Sequence, residues 1–295
     1  MTIRAWWLFA LSSGVWGVPY LFIRVAVDAG VPPAFVAWAR VALAAALLLP
    51  VALRRGALRG MQGRGGAVAA YAACEIAVPF VLIAMGERYI SSSLTAILIA
   101  TMPLFVALLS LRLSTADQPT GLRLLGLVIG LGGVVALLGV DVAGRPTELL
   151  GAALVLVATL GYAAAPIIVS RRLADLDPLG PVAASLTISA VALLPAVFAR
   201  RPHAIPASAL WAIAVLGVVC TALGLVVFFL LIAEAGPSRA SVITYINPLV
   251  AVLLGVIVLH EHLGAMSVAG LALILGGSWL ATRPSPSSTE REVAR

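Results

Sequence analysis

The chain has 295 residues, of which 62% are hydrophobic and 11% are charged, and its formal net charge is +7. Soluble domains carry about 25% charged residues, so this composition cannot cover a water-facing surface and predicts a protein that lies in lipid. All 19 basic residues are arginines, and without lysine the chain lacks the ammonium group of a P-loop and the amine of a Schiff base. We therefore expect no ATP hydrolysis within the chain and no bound cofactor.

The remaining polar residues argue against two further kinds of site. The arginines are spread singly and in pairs between apolar runs, so they do not form the dense basic stripe that binds nucleic acid. Cys74 and Cys220 both fall in apolar stretches, which predicts buried thiols rather than a disulfide. The i, i+2 spacing of His260 and His262 around Glu261 does not suit zinc. We expect neither a metal site nor a nucleic-acid partner.

Apolar runs of about 20 residues, the length that crosses a bilayer, recur ten times between polar or Gly/Pro-rich breaks. The first half of the chain predicts helices at 5–27, 34–53, 66–86, 91–111 and 121–140. The second half predicts helices at 149–170, 179–199, 209–233, 239–259 and 265–282. The predicted fold class is an all-α integral membrane protein with ten transmembrane helices, whose connectors leave no room for a soluble catalytic domain.

The arginines also predict how these helices are oriented. If both termini lie on one side, 13 arginines fall on that side and 4 on the other, with Arg24 and Arg40 inside helices. Cytoplasmic loops carry the excess of positive charge in membrane proteins. The predicted location is therefore the bacterial cytoplasmic (inner) membrane, with both termini in the cytoplasm.

The two halves of the chain share a spaced pattern of prolines and glycines, which predicts an internal repeat. Three prolines recur at an offset of 145 and one at 147, and three glycines recur at 144: Pro33, Pro50 and Pro103 as Pro178, Pro195 and Pro248; Pro19 as Pro166; Gly126, Gly132 and Gly133 as Gly270, Gly276 and Gly277. Because five crossings are an odd number, the second copy enters the membrane inverted. Inverted repeats are typical of secondary transporters, whose substrate site lies between the halves near the bilayer midplane.

The predicted domains are a first five-helix repeat at 1–145, a second and inverted repeat at 146–282, and a disordered cytoplasmic tail at 283–295. The tail is rich in Ser, Pro and charged residues, which is typical of disorder. The glycines Gly126 and Gly130 form a small-xxx-small pair that suits either a dimer contact or packing within one bundle. We expect packing within the bundle and a monomer rather than a dimer.

Several segments give the chain a family resemblance. They are Trp16-Gly17-Val18-Pro19 running to Arg24, Thr101-Met102-Pro103-Leu104, Asn247-Pro248-Leu249, and residues 264–277 after Glu261. With them the chain resembles the drug/metabolite transporter superfamily, in its ten-helix branch with duplicated EamA-type repeats, and is similar to bacterial amino-acid exporters, including aromatic amino-acid exporters. The resemblance implies alternating access around a central cavity. One departure is that Glu261 has no acidic counterpart before helix 5, where Arg112-Leu113-Ser114 stands.

Five prolines fall inside predicted helices and are candidate kinks or hinges: Pro19, Pro79, Pro103, Pro166 and Pro248. Each proline leaves the carbonyl four residues earlier without its helical partner. Lipid cannot satisfy such a carbonyl, so it must face protein, water or substrate. The prolines therefore favour hinges that shape a cavity, although Ser and Thr neighbours could also satisfy the carbonyls in a static bend.

Glu75 is the acidic residue that lies deepest inside a predicted helix, about 13 Å from the helix end at 1.5 Å per residue. An ionisable group at that depth is costly in lipid and marks a functional site by default. Arg40 lies about 9 Å from the end of its own helix, within reach of Glu75. Three roles stay open for Glu75: a carboxylate that titrates or binds an amine, a structural ion pair with Arg40, and a protonated, hydrogen-bonded carboxyl group.

Aromatic and polar residues complete the predicted substrate site. A pocket for organic solutes has mostly apolar and aromatic walls with a few convergent polar groups. The candidate substrate-binding residues are Trp16, Tyr20, Tyr71, Glu75, Thr101, Tyr162, Thr244, Tyr245 and Asn247. Ordinary packing, or an aromatic belt at the membrane interface, is the alternative for any one of them.

The predicted function is a secondary transporter of broad specificity that exports amino acids or related small metabolites by alternating access. Its expected partners are a small-molecule substrate and membrane lipid. A multidrug or cationic-compound exporter is the alternative within transport. An intramembrane enzyme is disfavoured because the sequence has no HExxH, no GxSxG and no paired buried carboxylates. A channel is disfavoured because no helix carries a full-length polar stripe.

Overall fold

The structure, a computed structural model, describes residues 1–113, 121–139 and 145–282. The first half folds into five helices: α1 (Ile3–Asp28), α2 (Pro33–Arg55), α3 (Gly65–Gly86), α4 (Ser92–Ile99 and Met102–Leu113) and α5 (Leu122–Leu137). The second half folds into five more: α6 (Pro146–Arg172), α7 (Leu179–Ala199), α8 (Ala207–Ala235), α9 (Ile243–Val258) and α10 (Ala265–Ala281). The all-helical fold predicted from the sequence is therefore confirmed.

Seven of the helices in the described ranges are long and apolar enough to cross a membrane, and α5, α9 and α10 are shorter apolar helices. Their ends differ from the predicted ones where the local sequence supplies its own signal. Helix α6 begins at Pro146, because proline suits the first turn of a helix. Helix α9 begins at Ile243 rather than 239, because Pro237–Ala240 forms a separate turn of helix. The predicted tail lies outside the described residues.

The two halves pack against each other along their whole length. Helix α2 packs on α7, α3 on α6, α4 on α9, and α5 on α10. Each of these pairs joins one helix of the first half to one of the second. The interface between the halves therefore runs through the centre of the molecule, and residues from both halves can meet there.

The contact between α5 and α10 depends on glycine. A Cβ added to Gly126 would lie 2.7 Å from the carbonyl oxygen of Gly277, and one added to Gly277 would lie 2.6 Å from that of Gly126. A Cβ on Gly133 would lie 3.2 Å from the oxygen of Gly270, and one on Gly270 would lie 3.4 Å from that of Gly133. The first pair admits no side chain at all. The predicted small-xxx-small surface thus packs within this chain.

The predicted kinks occur in the first half of the chain. Helix α1 is interrupted at Val18, directly before Pro19, and α4 is interrupted before Pro103. In α3, a turn of π-helix (Ala72–Ala77) precedes Pro79. In the second half, by contrast, α6 and α9 continue through their prolines, of which Pro166 is exposed and Pro248 is buried. Whether these positions act as hinges stays a prediction.

Helix α8 is irregular without a proline. Residues Val215–Leu223 form a π-helical stretch in the middle of the helix. Such stretches widen the helix, leave a carbonyl without a helical partner where the α-helical pattern changes to the π-helical one, and occur frequently at functional sites. The π-helical turns of α3 and α8 lie at similar positions in the two halves, so both halves are irregular where they meet at the centre.

Candidate substrate site between the two halves

The π-helical turn of α3 positions Glu75. The backbone N–H of Val78 donates to the carbonyl of Ala73, five residues earlier, which is the wide turn of a π-helix. Pro79 follows and has no N–H to donate to the Glu75 carbonyl. The side chain of Glu75 is half-buried, and among the described residues no hydrogen bond or ion pair engages its carboxyl group. The site therefore contains a carboxyl group that the protein leaves without a partner.

The π-helical turn of α8 positions Cys220 and Thr221 on the facing half. The Thr221 hydroxyl donates 2.8 Å to the carbonyl of Leu216, five residues earlier, and so satisfies an acceptor that the wide turn leaves free. The carbonyl of Cys220 accepts 3.2 Å from the indole N–H of Trp16 on α1. The irregular backbone of α8 is thus held by a side chain of the opposite half.

Arg40 connects α2 to this turn. Its Nε donates 2.7 Å to the Thr221 hydroxyl oxygen, and its guanidinium carbon lies 3.9 Å from the centre of the Phe80 ring. The residue is only 8% exposed. Within the described ranges no ion pair joins Arg40 to Glu75, so the predicted pair is not formed in this structure. The reason is that α2 packs on the π-helical turn of α8, which directs the guanidinium to Thr221.

Tyr20 and Tyr162 bring the charged groups into one cluster. Both phenols pack against the same group of buried apolar residues, and a Cβ added to Gly161, beside Tyr162, would lie 2.7 Å from the Cys74 carbonyl oxygen, next to Glu75. Tyr71 lies one turn from Glu75 on α3. We call Tyr20, Arg40, Glu75, Tyr162 and Thr221 the central cluster. It contains residues of α1, α2 and α3 from the first half and of α6 and α8 from the second.

The other predicted site residues have different surroundings. Trp16 packs 4.7 Å from Phe228, centre to centre, beside the π-helical turn of α8. Thr101 is buried, and its hydroxyl donates 2.6 Å to the Leu98 carbonyl of its own helix. The central cluster therefore does not use the Thr101 hydroxyl.

Three predicted residues lie on the first turns of α9. The Asn247 amide nitrogen donates 2.9 Å to the Ile243 carbonyl and 3.2 Å to that of Ser13, which ties α9 to α1. The Tyr245 hydroxyl lies 2.9 Å from the Thr282 hydroxyl at the end of α10. Thr244 is half-buried and directly precedes Tyr245 in the sequence. These hydrogen bonds fasten helices to one another, and their partners lie outside the central cluster.

Sequence reasoning missed a second polar cluster at one end of the bundle, which we call the Arg24 end. Arg24 donates from Nη1 to the carbonyls of Glu87 (2.8 Å) and Ile90 (3.1 Å), and from Nε to Asp28 (2.8 Å). The carboxylate of Glu261 accepts from the backbone N–H groups of Ser92 (2.8 Å) and Ser93 (2.9 Å) and from the Ser93 hydroxyl. It thereby satisfies free N–H groups in the first turn of α4.

A cavity of about 550 Å³ opens at the Arg24 end. Its polar lining includes Arg24, Asp28, Arg145, Glu148, Glu261 and His262. Among these, Arg24 pairs with Asp28, Arg145 pairs with Glu148, and Glu261 caps α4. Glu87 lies fully buried nearby, and neither carboxyl oxygen has a partner in the described part of the chain. Burial raises the pKa of Glu87 well above its usual value, because the interior disfavours the charged form.

At the opposite end, which we call the Arg64 end, an exposed ion pair joins the halves. Arg64, before α3, donates to both carboxylate oxygens of Asp175, between α6 and α7, and to the Arg172 carbonyl at 3.0 Å. Its hydrogen bond lowers the pKa of Asp175. A solvated pair of this kind contributes little to stability. The halves are therefore linked at both ends, by a helix cap at one and by a surface ion pair at the other.

Comparisons with known proteins agree with this architecture. The chain is 26% identical over 288 residues to an uncharacterized transporter of Archaeoglobus fulgidus, an alignment that covers 95% of this chain and 99% of the relative. It is 28% identical over 276 residues to the uncharacterized inner membrane transporter YedA of Escherichia coli (strain K12), covering 91% and 87%. One solved crystal structure aligns with 94% of this chain at a TM-score of 0.66 and 19% identity, and so shares the fold.

A family model matches the chain twice, once in each five-helix half. The model of the EamA-like transporter family covers residues 4–139 and 149–283. The relatives above are named as transporters, and none of them as an enzyme. The duplicated match, the ten helices and the interface between the halves lead to one conclusion: the chain is a multi-pass membrane protein that belongs to the EamA-like transporter family.

Proposed function

We propose that this transporter exports amino acids, including aromatic ones, or related small metabolites, and that it does so by alternating access with broad specificity. The observation that carries the proposal is the central cluster. It combines one carboxyl group that has no partner among the described residues, one buried guanidinium and two phenols at the interface of the halves. Few polar groups among apolar walls suit a small organic solute.

The alternating movement follows from where the halves touch. A solute held by groups of both halves can be passed across the membrane when one half rocks against the other. The glycine contact between α5 and α10 allows no separation without loss of close packing, whereas the links at the two ends consist of a helix cap and a surface ion pair. We propose that these end contacts break in turn.

We further propose that the Arg64 end faces the cytoplasm together with both termini. The connectors at this end carry Arg54, Arg55, Arg59, Arg64, Arg171 and Arg172. The positive-inside rule supports this orientation. The cavity at the Arg24 end then opens to the outer side. A reporter that is active only in the periplasm should be silent when fused after Arg295, and activity of that fusion would overturn the orientation.

The function is tested with the purified chain in liposomes. Vesicles loaded with unlabelled phenylalanine are diluted into a trace of labelled phenylalanine, and a carrier then shows transient counterflow that saturates with concentration. Empty vesicles measure leakage, and the Glu75→Gln variant tests dependence on the central cluster. Flux that does not saturate would identify a channel. If neither phenylalanine nor any other amino acid gives counterflow, the proposed substrate class is overturned.

One observation supports a second candidate, an exporter of cationic compounds. Glu75 is a half-buried carboxyl group without a protein partner, close to Tyr71 and Tyr162. Aromatic rings beside a carboxylate also suit an organic cation. Counterflow of lipophilic cations, in vesicles that show none with amino acids, would favour this second function.

A further inference from the structure

Arg40 is a permanent cation placed deep inside the bundle. Arginine keeps its proton at any physiological pH. Only 8% of the residue is exposed, and it lies about two turns into α2, on the side that packs against α8 of the other half. Its Nε donates to Thr221, but in the part of the chain that the structure describes no oxygen accepts from the Nη hydrogens, and no carboxylate forms an ion pair with it.

The groups that surround Arg40 do not neutralise it. Thr221 supplies an uncharged oxygen and Phe80 an aromatic face, which together satisfy one of five N–H groups and one side of the plane. A buried charge without a counter-ion is costly, because the protein replaces water poorly. The Nη atoms are not among the fully enclosed polar atoms that lack a partner in the described part of the chain.

The missing counter-ion has a definite chemistry. The guanidinium plane presents parallel N–H groups that match the two oxygens of a carboxylate. Glu75 does not fill this position, since among the described residues no ion pair joins it to Arg40. The central cluster therefore contains two groups of opposite charge type that do not pair with each other. That arrangement is complementary to a zwitterion, whose carboxylate and ammonium group are also held apart.

We propose that Arg40 binds the carboxylate of the transported solute. This inference rests on the proposed function and sharpens it: the substrate class is a carboxylate-bearing solute, with α-amino acids placed so that the ammonium group faces Glu75. The phenols and the Phe80 ring contact the remainder of the solute. A purely cationic solute would meet repulsion from Arg40 and bind less well.

Three ligands that share a phenyl ring and a short chain test this assignment. Phenylalanine carries both charges, 3-phenylpropionate only the carboxylate, and phenethylamine only the ammonium group. Dissociation constants are measured by ligand-induced thermal stabilisation of the purified chain, and counterflow is measured in liposomes. In Arg40→Gln we expect about ten- to hundredfold weaker binding of phenylalanine and 3-phenylpropionate, the loss of a charge-assisted hydrogen bond. Binding of phenethylamine should stay unchanged or improve.

Two control variants separate ligand binding from a structural role. Arg123, which donates 3.4 Å to the Ala281 carbonyl between α5 and α10, is an interhelical arginine remote from the central cluster. Arg123→Gln should leave all three dissociation constants within about twofold of wild type. Arg40→Lys keeps the charge but loses the planar fork, and should recover part of the lost affinity for the two carboxylates.

Each outcome decides the question. Selective loss of carboxylate binding, with partial recovery in Arg40→Lys, supports the proposal. Equal weakening of all three ligands, with a lower Tm, would show that Arg40 only braces α2 against α8, and would overturn it. If the wild-type chain carries phenethylamine and neither carboxylate, the Arg40 assignment fails while transport stands. If it carries no solute at all, the proposed function fails, and the assignment falls with it.

Discussion

The two halves of the molecule share a backbone plan but supply different chemistry to their interface. At the repeat offset of 145 residues, Glu75 of the first half corresponds to Cys220 of the second, and Arg40 corresponds to Ser185. The first half thus carries both charges of the central cluster. The second half provides neutral groups: the Thr221 hydroxyl and the Tyr162 phenol.

The π-helical turns show how the same backbone feature arises from different residues. In α3 the turn is followed by Pro79, whereas in α8 the corresponding position is Gly224. A Cβ on Gly224 would lie 2.6 Å from the Trp16 indole nitrogen, so glycine is required for Trp16 to reach the Cys220 carbonyl. At these two turns the backbone has the same π-helical form in both halves, while the side chains differ. The comparison teaches that symmetry of the fold does not extend to the charges.

The largest effect should come from replacing Glu75 by a near-isostere, whereas the same kind of replacement at Cys220, its counterpart in the other half, should have little effect. Glu75→Gln removes the ionisable group and should abolish counterflow while leaving Tm close to wild type. Cys220→Ser, its partner in the other half, should retain most of the transport, because only the carbonyl of Cys220 makes a described hydrogen bond. Flux assays in liposomes measure both. Wild-type flux in Glu75→Gln, or equal losses in the two variants, would break the contrast between the halves.

The next effect concerns Glu261, whose carboxylate caps the first turn of α4. Glu261→Ala removes the acceptor of two backbone N–H groups at the start of α4, and should lower the free energy of unfolding by about 2 kcal/mol. Glu148→Ala breaks an ion pair with Arg145 in which Arg145 is largely exposed, and should cost under about 1 kcal/mol. Thermal or denaturant unfolding in detergent compares them. An equal cost would show that the Glu261 cap is no more important than a surface pair.

A smaller effect tests the neutral contribution of the second half. Tyr162→Phe removes a hydroxyl of the central cluster, and should weaken phenylalanine binding about two- to tenfold. The matched control is Tyr245→Phe, whose hydroxyl meets Thr282 at the end of α10. Its binding constant should stay near wild type. A larger loss in Tyr245→Phe would place the solute near the ends of α9 and α10 instead.

The smallest effect concerns Glu87 and the dependence of folding stability on pH. Burial raises its pKa in the folded chain above the usual 4.5, with Arg24 and Arg40 opposing the shift and Asp28 and Glu261 adding to it. The folded state therefore holds the proton that the unfolded state releases, and stability falls as pH rises above about 4.5. Glu87→Gln should match wild type at pH 4 and become progressively more stable than wild type toward pH 8. Parallel curves of Tm against pH would contradict this sign.

Much of the fold was predictable because lipid imposes simple rules. Apolar runs of helical length and odd-numbered repeats predict ten helices in two halves, which the structure and the family match confirm. The depth of Glu75 also marked it as a site residue, since few carboxyl groups occur inside apolar runs. Of the three roles left open for Glu75, the ion pair with Arg40 is not formed among the described residues. Depth along separate helices does not reveal that α2 rotates Arg40 toward Thr221.

The Arg24 end was missed for a related reason. Glu261 and the Ser92 backbone are 169 residues apart, and no local pattern announces a carboxylate that caps another helix. Glu87 stood next to the predicted end of helix 3, where a charged residue is expected to face water. The structure buries it beneath Arg24, whose hydrogen bonds go to backbone carbonyls of the same segment. Such placements depend on how helices pack, which composition and periodicity do not encode.

The glycine contact between α5 and α10 has a further consequence for the assembly of the chain. Gly126 meets Gly277 and Gly133 meets Gly270, while Gly126 and Gly133 are the repeat counterparts of Gly270 and Gly277. The contact is therefore isologous: the same patch of each half serves both partners, as in a two-fold symmetric homodimer. A covalently joined chain has no need for such reciprocity. Along this surface the protein packs as a dimer of its own halves.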